Sequence, residues 1–254
     1  MSGMPKPDQP RFGVLETIAQ QHDTRRDFDG VLARYTARIV CPRVRGQRVI
    51  EAGCSTGVVT EHLVAVAREL HVVEGSQIYA DVVRALCPTI TSMTCALFND
   101  YQPVEPAEAV VAAGVLHHLN DPVSELKQMA TWVVPGGSIH ITVPNMTSLH
   151  RRLGVAMALN ESVYDTSPRN RQFAQPGRYD AERLARDIAA AGLEIVDRCG
   201  FFLKPFPHDI MNRIELPEPV LAGLFELGVQ LPELATQLYV EARTSVARTA
   251  PDRP

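Results

Sequence analysis

The sequence is short of several things, and each shortage excludes something. No stretch approaches the ~18 uninterrupted apolar residues that a membrane-crossing helix needs. Met1 to Pro10 is polar and proline-rich, without the apolar core of a secretory leader. We therefore expect no membrane association and a cytoplasmic location. The five cysteines, Cys41, Cys54, Cys87, Cys95 and Cys199, are scattered and form no C-x-x-C pair. That argues for reduced thiols and against a disulfide framework or a zinc site, and no metal is expected. A basic excess is missing as well: 25 Lys+Arg against 29 Asp+Glu leave a net charge of -4. Such a balance gives no support for a protein that tracks phosphate backbones, so no nucleic-acid partner is expected. Aromatic residues make up only 6%, with Trp132 the single tryptophan, which is little for stacking nucleobases. Lysine is scarce too: Lys6, Lys127 and Lys204 are the only ones among the 25 cations. We read that as a coding genome rich in G and C, since forked arginine contacts cannot account for most of the arginines.

What is present is an ordinary folded composition, 45% hydrophobic and 21% charged. A chain of 254 residues suits one large domain, or one domain with a small annex. Residues 1–12 read as a loose tail. From Val14 to Val40 apolar residues recur at helical spacing, and the polar break from Gln21 to Asp27 divides them into two helices. After a turn at Pro42 and Gly46, short apolar runs alternate with helical segments. Arg48 to Ala52 reads as a strand, Thr60 to Leu70 as a helix and His71 to Glu74 as the second strand. Ser76 is placed to cap a helix through Leu86. Ile90 to Ala96 and Ala109 to Ala113 read as strands three and four. Asp121-Pro122 opens a helix to about Val133, because proline suits the first helical position. Pro135-Gly136-Gly137 reads as a turn and Ser138 to Val143 as strand five. Asp180 caps a helix that ends at Gly192. Glu194 to Phe201 is strand six, Pro219 to Leu227 a helix, and Ala235 to Thr244 the last strand.

This alternation predicts an α/β fold: a doubly wound, mostly parallel seven-stranded sheet, with ligands at the carboxyl ends of its strands. N-terminal helices precede it. After strand five comes an inserted helical cover over about 145–178, with one helix near Leu149–Leu159. The chain thus divides into a tail and helical lid, 1–44, and a main domain, 45–250.

The strongest local pattern is Glu51-Ala52-Gly53-Cys54-Ser55-Thr56-Gly57, where the first strand ends and a helix opens. It meets E-x-G-x-x-x-G. It does not meet the dinucleotide pattern G-x-G-x-x-G, because Ser55 holds the second glycine position. Gly53 lets the backbone approach a ligand, and Gly57 lets the helix pack tightly on the strand. Exposed amides at the helix start favour a carboxylate or another acceptor. Glu74 ends the second strand, 23 residues after Glu51. A doubly wound fold uses an acid there to accept hydrogen bonds from ribose hydroxyls. Together they point to an adenosine-type ligand. After strand four stands Gly114-Val115-Leu116-His117-His118-Leu119-Asn120-Asp121-Pro122. Adjacent histidines at a ligand-facing strand end are candidate general bases. The alternative is that one packs and the other is solvated.

Taken together, these residues resemble the class I S-adenosylmethionine-dependent methyltransferases, in the branch of the ubiquinone and menaquinone biosynthesis enzymes. Residues 49–57 resemble the first motif, Glu74 the second-strand acid and Leu116 to Pro122 the L-x-H-x-x-D-P segment. Trp132 to Val143 resemble the P-G-G turn and fifth strand. The resemblance covers about 45–145 closely and the last hundred residues only by topology. It implies the Rossmann-like methyltransferase fold, S-adenosylmethionine as cofactor, S-adenosylhomocysteine as product and no metal. Gly53, Ser55 and Gly57 would line the methionine part, with Glu51 near its ammonium. Glu74 would hold the ribose hydroxyls, with Gly75 and Ser76 beside it. Ala96, Leu97 and Phe98 would flank the adenine, and the carbonyls of Ala113 and Gly114 would meet the methionine end. Arg34 or Arg38 would pair with the cofactor carboxylate; the alternative is a solvated helix face. Two positions depart from the family: Leu97-Phe98 replaces a stretch that often carries an acid, and Ser55 replaces a common glycine. His118 matches the recurring histidine of the family segment, so it is the preferred base and His117 the second.

The acceptor side would be formed by residues 12–40, 145–178 and 202–216. Tyr35, His150, Arg152 and Arg178 are candidate substrate residues there, and Arg151, Arg169 and His208 lie in the same segments. A cationic wall would suit a small acceptor with a carboxylate or phosphate, although arginines are common over the whole chain. The reading is a methyltransferase acting on an oxygen or nitrogen of a small molecule, in secondary-metabolite or sugar tailoring, and a homodimer is allowed. The competing readings are a peptide or RNA methyltransferase, a non-catalytic S-adenosylmethionine-binding protein, and a nicotinamide-dependent oxidoreductase.

Overall fold

A computed structural model describes the backbone of residues 9–244 and the side chains of residues 13–244. Of the tail foreseen over 1–12, residues 1–8 lie outside the described residues, as do 245–250 at the far end. Residues 9–12 already belong to helix α1 (Gln9–Gln21). Pro10 sits in its first turn, where a missing N–H costs nothing. The polar break holds a short 3₁₀ turn capped by Asp23, and Asp27 then caps α2 (Phe28–Val40) by accepting from the Asp29 amide at 2.7 Å.

The alternation that follows runs β1 (Arg48–Ala52), α3 (Val58–Val64), β2 (Glu69–Glu74), α4 (Gln77–Leu86), β3 (Ser92–Cys95), β4 (Ala107–Ala113), α5 (Pro122–Ala130) and β5 (Val133–Pro144). Then come α6 (Leu149–Ala156), α7 (Pro168–Gln172), α8 (Ala181–Ala190), β6 (Leu193–Phe201), α9 (His208–Met211), α10 (Glu218–Gln230) and β7 (Gln237–Thr244). The seven strands lie in the order β3-β2-β1-β4-β5-β7-β6. The pairings from β3 to β5 are parallel, and β7 runs antiparallel to both β5 and β6.

Three expectations are corrected. The helix foreseen to Leu70 stops at Val64, because the Val66 carbonyl and the Arg68 amide bond the turn before β1 and draw the chain into β2. The Pro135-Gly136-Gly137 turn lies inside β5 as a bulge: Ala107 and Ala109 of β4 face Val133 and Ser138. The cover over 145–178, foreseen with one helix, holds a second one, α7, which Pro168 begins and where Ser167 and Asn170 form a reciprocal capping box.

Both faces of the sheet are covered, which explains the unbroken apolar runs. Val110, Ala112, Ile139 and Ile141 pack with α5 and α8 around Trp132. Val49, Ala109 and Val111 pack with α2, α3, α4 and α10 around Phe201 and Phe225. Among the described residues no helix is long and apolar enough to cross a membrane.

Candidate active site

The carboxyl ends of β1, β2 and β4 open into one cavity of about 1290 Å³. Ligand pockets usually measure ~300–1,000 Å³, so two small molecules fit side by side. At one end stands the loop after β1. Gly53 and Gly57 have φ of 78° and 79°, and Ser55 between them has φ 47°. That left-handed turn is why glycine suits position 55. Ser55 is held there by a 2.9 Å bond between its hydroxyl and that of Thr24.

Glu74 braces this loop. Its Oε2 accepts from the amides of Cys54 at 2.9 Å and Ser55 at 3.1 Å, and its Oε1 accepts from the Ser76 amide at 2.9 Å. Each carboxylate oxygen has two acceptor positions, so Oε1 keeps one free for a ligand hydroxyl. Glu51 is the opposite case. It is fully buried, faces the cavity, and neither carboxylate oxygen has a hydrogen-bond partner among the described residues. Burial pushes its carboxyl up to about 8, and the charge of Glu74 adds to the shift. A bare buried carboxyl is stable only as the neutral acid or beside a cation.

Helix α1 closes this end. Glu16 accepts from the Ser76 hydroxyl at 3.1 Å and from the Gln77 amide at 2.6 Å, at the start of α4. Leu15 presses on Gly75, where a Cβ would stand 2.6 Å from Leu15 Cδ1. Ala96, Leu97, Phe98, Ala113 and Gly114 complete the wall. Gly57 and Ser76 lie behind it: a Cβ at Gly57 would meet Val83 of α4 at 2.9 Å, and Ser76 is the N-cap of α4.

At the other end the structure brings His117, His118 and His150 to the cavity. His117 is buried and its ring lies 4.3 Å from that of His118. His118 donates from Nδ1 to the Phe173 carbonyl at 3.2 Å, and its Nε2 faces the Gln175 amide nitrogen at 3.4 Å. Burial pushes the His118 imidazole down to about 4, with the Phe173 bond opposing, and holds His117 well below the usual imidazole range. Both rings are therefore neutral near pH 7.

Five foreseen residues point elsewhere. Arg34 is exposed on α2, and its neighbour Arg38 pairs with Glu226 at 3.0 Å. Tyr35 is buried, donates to Glu218 at 3.0 Å and stacks on Phe225. Arg152 is exposed and donates to the Thr147 carbonyl at 2.7 Å. Arg178 is bound to Thr166 Oγ1 and the Pro176 carbonyl. The arginines that do reach the cavity are engaged. Arg151 ties α6 to the carbonyls of Val163 and Asp165, and Arg169 pairs with Asp27 at 2.7 Å and with Asp29.

Sequence reasoning missed Lys204 and Asp29. The first is buried at the cavity wall, 2.7 Å from His208 Nδ1, and His208 Nε2 lies 2.6 Å from Asp29 Oδ1. One signal was in the sequence: a lysine inside Phe201-Phe202-Leu203-Lys204-Pro205-Phe206, in a chain that uses arginine almost everywhere.

Comparison with known proteins agrees with this fold. A family model described as a methyltransferase domain matches residues 21–198. The mitochondrial ubiquinone biosynthesis O-methyltransferase of Bos taurus is 24% identical over 208 residues, 76% of this chain and 54% of that protein. The Rhizobium etli ubiquinone biosynthesis O-methyltransferase is 27% identical over 176 residues, 65% of this chain and 67% of that protein. The chain spans about half the length of the mammalian relatives it matches. The N-methyltransferase NodS of Bradyrhizobium japonicum, solved with S-adenosyl-L-homocysteine, superposes with a TM-score of 0.54 at 14% identity. That match covers 86% of this chain and 88% of NodS, a likeness of fold.

Proposed function

The chain belongs to the S-adenosylmethionine-dependent methyltransferases, and from that premise we propose that it moves a methyl group from this cofactor to an oxygen or nitrogen of a small molecule. One observation carries the reading: a single cavity joins the Glu51/Glu74 end to the histidine and lysine end. Its volume exceeds what one ligand needs. The residues at the first end fit the cofactor, because the unpartnered Glu51 carboxyl lacks only a cation and the methionine portion carries an ammonium. Glu74 keeps an acceptor position for the ribose. Gly53 allows close approach, since a Cβ there would stand 2.8 Å from Val115 Cγ2.

When bound, S-adenosylmethionine supplies a methyl group already activated by its sulfonium. The protein's task is then to align an acceptor and exclude water. Leu97 and Phe98 offer apolar walls to the adenine, so this chain meets the base by packing rather than through an acid. Residues of α6, α7 and the loop before α9 roof the far end, which favours a small acceptor over a folded macromolecule. Metabolite tailoring, and a first contact of the acceptor with His118, belong to the same proposal.

The test is calorimetry followed by transfer. S-adenosylmethionine and S-adenosylhomocysteine are expected to bind and NAD not to, and methyl-labelled cofactor to label hydroxyl or amine compounds from a small-molecule panel. Glu74→Ala should weaken cofactor binding more than tenfold, or about 1.4 kcal/mol, through loss of both the ribose contact and the loop brace. Unchanged affinity in that variant would remove Glu74 from the cofactor site. Binding without transfer to any acceptor class would favour a non-catalytic protein.

A further inference from the structure

Lys204 follows β6 and is 1% exposed, with its backbone amide fixed by the Thr236 hydroxyl at 2.9 Å. No carboxylate among the described residues lies within ion-pair distance of its Nζ. A buried ammonium without a counter-ion is costly, so the neutral amine is favoured. The arrangement around it settles the direction of its hydrogen bond. Burial disfavours ionisation of Asp29, but His208 and Arg169 outweigh it and hold that carboxyl far below the usual range. The ionised Asp29 Oδ1 accepts, so His208 Nε2 carries the ring proton. Burial lowers the imidazole and keeps it neutral. Nδ1 is therefore an acceptor, and Lys204 donates to it at 2.7 Å. The neutral amine keeps its lone pair, and the side chain lines the cavity.

We propose that Lys204, oriented by the His208–Asp29 pair, takes the proton from the acceptor's nucleophile during methyl transfer. The proposal rests on the methyltransferase reading. The acceptor's oxygen–carbon or nitrogen–carbon bond forms as the carbon–sulfur bond breaks, with that electron pair staying on sulfur. The proton of the acceptor's O–H or N–H group goes to the lone pair of Lys204 Nζ, and the ammonium later loses it to water. His208 and Asp29 are positioning residues: their bonds stabilise the ammonium as it forms, in the logic of a base held by a third group. Arginine in this place would hold its proton at any working pH. His118 is less suited, since its Nε2 lone pair faces the Gln175 amide nitrogen at 3.4 Å and burial pushes its imidazole down to about 4.

Charge from every side acts on this amine. Burial lowers it, to about 7 in all. Asp29 and Asp27 from α2 and its cap raise it, and Arg169 of α7 and Arg151 of α6 lower it further. His150 of α6 and His208 of α9 face it as neutral rings near pH 7, and His22 lies 3.9 Å from Asp29.

The scarcity of lysine makes the test direct. Protein labelled with carbon-13 at the lysine ε position gives three lysine signals, from Lys6, Lys127 and Lys204. The Lys204 signal is identified by its loss in Lys204→Arg, or in Lys204→Met if a guanidinium cannot be accommodated. Titration should give it a midpoint near 7, with the other two near the usual ~10.4. Asp29→Asn should lower that midpoint and Arg169→Gln should raise it. In transfer assays the acid limb of kcat should share the midpoint. Lys204→Met and Lys204→Arg should each lose at least a hundredfold in kcat, with cofactor affinity within twofold, and added methylamine should restore part of the activity of Lys204→Ala. An ordinary midpoint in a protein that binds the cofactor overturns the proposal, and so does a Lys204→Arg variant that keeps its kcat. The latter marks an anion-binding lysine. If the wild type binds no S-adenosylmethionine, the methyltransferase reading fails first and takes the proposal with it.

Discussion

Glu51 and Glu74 stand near the ends of adjacent strands, both buried, and have opposite fates. Glu74 accepts three backbone amides and serves the loop with or without a ligand. Glu51 has no such donors, so its burial makes the unliganded protein sensitive to pH. Its folded-state pKa, about 8, lies above the ordinary 4.5. Stability from such a group is fully present below about 4.5 and is lost as pH rises through 8. Glu51→Gln removes that charge while keeping the shape. The variant should gain in Tm over the wild type from pH 5 to pH 8.5, with the gap widening upward. It should also bind S-adenosylmethionine more weakly. In the wild type, an ammonium arriving at Glu51 favours the carboxylate, so binding at pH 7 should release protons, up to about one. Calorimetry in two buffers of different ionisation heat measures this; equal heats would detach Glu51 from the ammonium. Both acids were legible in the sequence because each stands at the end of a short apolar strand. Their difference was not, since it depends on which backbone amides the folded loop turns toward them.

At the scale of elements, the strands and most helix starts could be read because local chemistry decides them: Ser76, Asp121 and Asp180 cap helices as their spacing suggests. Ends set by tertiary pairing were misread, as at α3 and in the β5 bulge. The lid shows the same division. That helices precede the sheet was legible; that Glu16 of α1 bonds the first turn of α4 was not, since the partners stand about sixty positions apart. This contact makes the lid a clasp over the Glu74 end. Losing a cap of this kind costs about 1 kcal/mol, a factor of roughly five. Glu16→Ala should therefore speed dissociation of S-adenosylmethionine about fivefold, read by stopped-flow fluorescence, and move Tm by only a few degrees. A large loss of Tm with unchanged dissociation would make the contact structural and leave the lid without a latch.

At the scale of the whole molecule, the Lys204/His208 end of the cavity is held by long-range ties. Asp29 of α2 binds His208 of α9, 179 positions away, and Arg169 of α7, 140 positions away. No periodicity or local spacing carries such a link, which is why the acids of the Glu51/Glu74 end could be read from the sequence and this end could not. The arginines expected to form a cationic wall prove to be these ties, or to lie outside the cavity. Asp29 is thus a knot between three elements, with Asp27 at the N-cap of α2 as a second carboxylate on Arg169. Asp29→Asn keeps its size and removes its charge. Arg169 and His208 should then both loosen, and hydrogen exchange should quicken in α7 and across 202–216 together, while β1 to β3 stay as protected as in the wild type. Acceptor KM should rise, with cofactor affinity within twofold, because the Glu51/Glu74 end is braced through a separate set of bonds. Faster exchange confined to α2 would show that α7 and α9 are held by packing alone. Faster exchange spread through the sheet would show that the two ends of the cavity are not independently supported.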